Sequence, residues 1–220
     1  MGKLEWAIVG VFLIFLLGLV TLKYFKVDSR KRGAVKMVCS TLFVVAAILA
    51  CTKNFSSWSL VLVIGVIFAF LGDLFLVFMD DRRWFLTGVI AFACSSLTLS
   101  VYSIANYGFA WWSIIVFVIF IVANVFCQLK GVYDFGRNIV YLNVYMVAVG
   151  LCGSLGVTLF VQGVANLPMF LFGLGCFAYF VSDVVLGLYL LKFRLRSLDI
   201  INSFLYFPGL MLIACSLFLI

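Results

Sequence analysis

Eight separate stretches of this chain stay apolar long enough to cross a lipid bilayer, and nothing else in it limits the fold so sharply. About 30 Å of hydrocarbon, at about 1.5 Å of rise per residue, asks for roughly 20 residues per helix. Such stretches lie at about 6–24, 34–51, 60–79, 85–104, 109–127, 139–161, 169–191 and 200–220. Lipid offers no partner to a backbone N–H or C=O, so runs of this length must satisfy themselves as helices. Apolar residues make up 67% of the 220 and charged ones 10%, too little polar material to clothe a soluble domain. The expected fold is all-α, a polytopic membrane protein with eight transmembrane helices in one bundle. Residues 1–220 are expected to form a single integral membrane domain. The longest polar stretch, roughly 26–36, reads as a loop. The run at 6–22 is longer than a signal-peptide core and a basic cluster follows it, so it is expected to stay as the first span.

The connections between these stretches predict the orientation. Of the 15 Lys and Arg residues, all but Lys3 and Lys53 fall in or beside the first, third, fifth and seventh connections. An excess of that kind marks the cytoplasmic side, so both termini are expected on the non-cytoplasmic side. The same distribution accounts for the net charge of +7 as a membrane-surface property, and no nucleic-acid partner is expected. Trp6, Trp58, Trp84, Trp111 and Trp112 fall near predicted helix ends, where an interfacial belt would put them. The seven cysteines lie inside apolar segments without a Cys-x-x-Cys pair and read as reduced packing residues. Histidine is absent, which removes the commonest imidazole base and metal ligand together; no metal or cofactor is expected. The composition does not choose between a bacterial plasma membrane and the endoplasmic reticulum.

Six of the eight acidic residues sit in loops or at helix ends, but Asp73 and Asp183 sit inside apolar stretches. An ionised aspartate deep in a bilayer costs about 2.5–3.5 kcal/mol on insertion scales, so two of them ask for a role. Gly65, Ala69, Gly72 and Asp73 share one helical stripe, and Cys176, Tyr179, Asp183 and Gly187 share another. Small residues mark close helix contacts in membranes, so both acids are expected to face into the bundle, in its cytoplasmic half. Other polar groups fall at similar depth: Asn124 and Gln128, Asn143 and Tyr145, then Asn202, Ser203 and Tyr206. Together they suggest a polar chamber open to the cytoplasm, although each Asn or Ser alone could simply bridge two helices. The five-residue runs beginning at Gly72 and at Ser182 share a small-Asp-apolar-apolar-Leu pattern half a chain length apart, the trace expected of a parallel duplication.

Several short motifs recur in a recognisable order. Gly72-Asp73-Leu74-Phe75-Leu76 lies in the third stretch, and Phe85-Leu86-Thr87-Gly88 with Ala91-Phe92 in the fourth. Ser182-Asp183 lies in the seventh, and Tyr206-Phe207 followed by Leu212-Ile213-Ala214 in the eighth. In this order they resemble the YhhN-type lysoplasmalogenase family over most of the chain from the third helix onward. The resemblance implies hydrolysis of the vinyl ether bond of lysoplasmalogens to a fatty aldehyde and a glycerophospho-amine, with Asp73 and Asp183 matching the family's motif aspartates. Members usually carry a histidine at the column of Ser96 (or Ser95) and a glutamine at about Leu210; this chain has neither.

Vinyl ether hydrolysis begins with proton donation to the alkene carbon and passes through an oxocarbenium ion that water attacks. It needs one carboxyl that keeps its proton and one carboxylate to steady the cation and activate water. Two inward aspartates in a low-dielectric bundle can divide those tasks without histidine or metal. Asp73 and Asp183 are therefore the candidate catalytic residues, with the assignment of acid and base open. Tyr206, Asn143, Tyr145, Asn202, Ser182 and Asn124 are the candidate substrate-binding residues, and the expected partner is a membrane lipid or lysolipid. Two other classes fit the same residues: a non-catalytic lipid-binding protein of the same fold, and a proton-coupled small-molecule carrier.

Overall fold

Two acids of the loops turn out to be helix caps. Asp28 accepts from the backbone N–H of Arg30 and opens the second helix, Ser29–Lys53; Asp81 accepts from that of Arg83 at 2.8 Å and opens the fourth, Arg82–Tyr107. Ser56 and Ser59 form a reciprocal capping box at the start of the third, Ser57–Leu76. Asn166 caps the seventh, Leu167–Leu188, with Pro168 in its first turn. Each supplies an acceptor that the first turn of a helix lacks. These helices are α2, α3, α4 and α7. The others are α1 (Lys3–Tyr24), α5 (Trp112–Leu129), α6 (Ile139–Gln162) and α8 (Arg196–Ser216). The computed structural model describes residues 2–132 and 135–219; Ile220, the end of the expected last span, lies outside them.

Among the described residues there are eight helices long and apolar enough to cross a membrane, and no strand. α2 begins five residues earlier than the apolar run suggests, because the Asp28 cap lets polar residues, Arg30 to Lys36 among them, form its first two turns. The stretch expected to be loop is thus partly helix. About six turns on from its cap, α7 widens into a π-helical turn over Tyr189–Phe193 that ends on Arg194, a non-glycine residue at φ 42°.

Six helices form a closed round in the order α2, α3, α4, α6, α7, α8, each packed on the next and α8 back on α2. α1 lies outside against α2 and α8, and α5 lies outside against α6. The outer face of α5 is apolar and open, with Ile119 62% and Leu129 81% exposed, as a lipid-facing helix should be. Small residues bring the inner helices together. A Cβ on Gly175 would stand 2.6 Å from the carbonyl oxygen of Gly209, so α7 and α8 touch through their backbones. A Cβ on Gly72 would stand 2.8 Å from the ring of Phe92, so α3 presses on α4 one residue before Asp73.

Candidate functional site: two aspartates at the junction of two cavities

Asp73 is 1% exposed and lies where α2, α3 and α8 meet. Three donors converge on it. Lys36 Nζ stands 2.9 Å from Oδ1, the Ser40 hydroxyl donates to Oδ2 at 2.6 Å, and the Tyr206 hydroxyl donates to the same oxygen at 2.8 Å. Lys36 and Ser40 lie one turn apart on α2, so a single helix face supplies both. Tyr206 is held in a box of edge-on rings, with Phe92 at 5.9 Å, Tyr179 at 5.8 Å and Phe43 at 6.5 Å between centroids. One ammonium and two hydroxyls compensate a buried carboxylate well.

Asp183 has different company. It is 4% exposed, and among the described residues no cation lies within ion-pair distance of it. The Tyr145 hydroxyl on α6 is its hydrogen-bonding neighbour, Asp73 acts on it electrostatically, and its Oδ2 has no partner. A buried carboxyl without a counter-charge is suited to carrying a proton.

Two cavities meet here. The first, about 350 Å³, is walled almost wholly by apolar side chains of α4, α5, α6 and α7, among them Phe85, Phe120, Met146 and Leu191. The second, about 210 Å³, opens among Lys23, Arg32, Lys36, Asp199, Asn202 and Ser203, with Asp73 and Tyr206 in its wall. Five residues line both: Leu76, Phe92, Asp183, Leu186 and Leu190. Asp183 is the polar one among them. The two acids thus share one cavity, and Asp183 also faces the apolar one.

The expected substrate-binding residues divide. Tyr206 and Asn202 line the polar cavity, and Asn202 also donates weakly to the Ser182 carbonyl at 3.4 Å. Tyr145 and Asn124 line the apolar one. Asn143 lines neither; it accepts from Gln128 Nε2 at 2.9 Å, and Gln128 also reaches Asn124 at 3.2 Å, which ties α5 to α6. Ser182 lines neither, because its hydroxyl turns back onto the Tyr179 carbonyl at 2.6 Å. The polar groups therefore make two clusters and not one chamber. Lys36 and Ser40, which hold Asp73, do not stand out in the sequence as the acids do. Lys36 belongs by composition to the basic loop, and Ser40 is one small hydroxyl in an apolar run. The signal for them was the spacing of four that puts a cation and a hydroxyl on one face of α2.

Ser96 is fully buried, with its hydroxyl 3.5 Å from that of Tyr179, and Leu210 is fully buried. A protein-family model described as the YhhN family matches residues 32–217. No curated protein and no solved structure matches the chain.

Proposed function

The chain belongs to the YhhN family, and from that premise we propose that it is a membrane-embedded ether hydrolase that cleaves the vinyl ether bond of lysoplasmalogen. The observation that carries the proposal is the position of Asp183, on the wall between an apolar cavity and a polar one that also contains Asp73. A lysolipid is divided in the same way, and its vinyl ether sits where chain meets glycerol.

The unequal company of the acids supports a division of roles between them. Asp183, without a cation, protonates the alkene carbon next to the ether-bearing one. The C=C pair forms the new C–H bond, and the ether oxygen shares the charge left on its carbon as an oxocarbenium ion. Asp73, held as an anion by Lys36, Ser40 and Tyr206, faces that cation and steadies it. Water adds to the cationic carbon and its proton passes back to Asp183. The resulting hemiacetal collapses to the aldehyde and the free glycerol hydroxyl.

Aldehyde release from lysoplasmalogen in detergent micelles tests this. Asp183→Asn should lower the rate by at least about 100-fold, the usual worth of a positioned acid, with folded yield intact. Full activity in that variant, or no aldehyde from the wild type, would sink the hydrolase assignment. The second outcome would favour a non-catalytic lipid-binding role, the alternative that buried Ser96 and Leu210 support at the columns of the family's histidine and glutamine.

A further inference from the structure

The mouth of the polar cavity carries more cations than the two acids need. Lys23 is fully used: its ammonium donates to the Asp199 carboxylate, to the Asp199 carbonyl at 3.1 Å and to the Ser203 hydroxyl at 2.7 Å. Lys36 gives one contact to Asp73 and keeps the rest of its donors. Arg32 reaches Asp199 only at 4.0 Å, and its Nε is buried with no hydrogen-bond partner. A buried guanidinium N–H costs free energy unless something accepts from it, and all three cations line one cavity. Against Lys23, Arg32 and Lys36 stand Asp73 and Asp199, and with Asp183, the third acid of this cavity, carrying its proton as in the proposed mechanism, one positive charge is left in surplus. Ser29, Arg32 and Gly33 place the mouth beside the first turns of α2, where backbone dipoles also favour an anion, with the Asp28 carboxylate capping that end.

We propose that this mouth is a phosphate subsite in which Arg32 and Lys36 bind the phosphodiester of an amphiphile whose chain occupies the apolar cavity. It rests on reading the two cavities as a lysolipid site. A phosphodiester monoanion matches the single surplus charge, and a planar guanidinium presents paired N–H donors to two phosphate oxygens. Lys23, locked by Asp199 and Ser203, positions the mouth without touching the ligand. Arg32 and Lys36 then set preference for a phosphorylated head over a neutral glycerol, a property separate from the chemistry at Asp183.

Binding of two non-cleavable ligands tests this on the full chain in detergent: 1-O-hexadecyl-glycerophosphoethanolamine, a saturated ether, and 1-O-hexadecylglycerol, which lacks the phosphate. Wild-type protein should prefer the phosphorylated ligand, and Arg32→Gln should cut that preference about ten-fold or more, the scale of a charge-assisted contact. Lys130→Gln removes a charge from an exposed lysine on the same basic end, outside both cavities, and should leave the preference as it is. Equal wild-type affinity for the two ligands would overturn the subsite without any variant, and so would an unaltered preference in Arg32→Gln. Inorganic phosphate binding as tightly as the lipid would assign the pocket to free phosphate and overturn the lipid version. Because neither ligand can be hydrolysed, the outcomes separate. Phosphate preference without aldehyde release keeps the subsite and rejects the hydrolase, and aldehyde release without preference does the reverse.

Discussion

At Asp73 three donors from two helices converge on one carboxylate, whereas at Asp183, in the wall of the same cavity, an oxygen has no partner at all. The same substitution should therefore have different structural effects at the two positions. Asp73→Asn leaves the Lys36 ammonium, only 25% exposed, without its counter-charge; Asp183→Asn removes no ion pair. A fully buried broken pair costs about 3–5 kcal/mol, and partial exposure of Lys36 reduces that to about 1–3. Thermal unfolding in detergent should show Asp73→Asn less stable than Asp183→Asn by that amount, and equal stabilities would contradict the assigned pairing. Tyr206→Phe tests the same carboxylate by a gentler route, since it keeps the ring box and deletes the 2.8 Å hydrogen bond. A hydrogen bond to a charged group is worth about 1.5–3 kcal/mol, so kcat for aldehyde release should drop about ten-fold or more with KM little changed. The acids were legible in the sequence because a charge in an apolar run stands out against lipid. Their partners were not, because a hydroxyl such as Ser40 carries no such contrast and Lys36 belongs by composition to a loop.

Elements were legible where hydropathy defines them and less so where caps do. The apolar runs mark eight helices, yet α2 extends past its run because Asp28 satisfies its first turn, and this extension carries Arg32 and Lys36 to the mouth. The loss of α-helical register at Tyr189–Phe193 has no hydropathy signal either, although Tyr189 and Leu190 line the polar cavity there. In the sequence Gly187, one turn after Asp183, reads as one of the small residues that bring helices together. The structure gives it another part: a Cβ there meets nothing within 4 Å, and the residue lines the apolar cavity. Gly187→Ala should then be tolerated and stabilise α7 by about 0.5–1 kcal/mol in thermal unfolding, because glycine is costly inside a helix. Gly187→Phe should project into the space assigned to the chain. A pocket discriminates about ten-fold or more per methylene it can no longer hold, so kcat/KM should fall by at least that for a long-chain vinyl ether and by less for a short-chain one. Equal losses for both lengths would place the chain elsewhere.

For the molecule as a whole, the round of six helices encloses both acids, while α5 adds one wall to the apolar cavity and α1 adds Lys23 and Leu19 to the mouth. The arrangement puts the polar cavity at the end of the bundle where the basic connections gather. Its membrane side therefore decides which leaflet can feed it. The charge bias of the connections predicts the cytoplasmic side. The seven native cysteines are free, with five of them buried and the other two half-buried on their helices, so a membrane-impermeant maleimide should find little background. Lys31→Cys places an exposed thiol on the basic end, and Gln162→Cys places one at the far end of α6. In intact cells the reagent should label Gln162→Cys and leave Lys31→Cys unmodified until the membrane is permeabilised. The opposite pattern would turn the mouth outward, and a phosphorylated lysolipid would then have to enter from the outer leaflet.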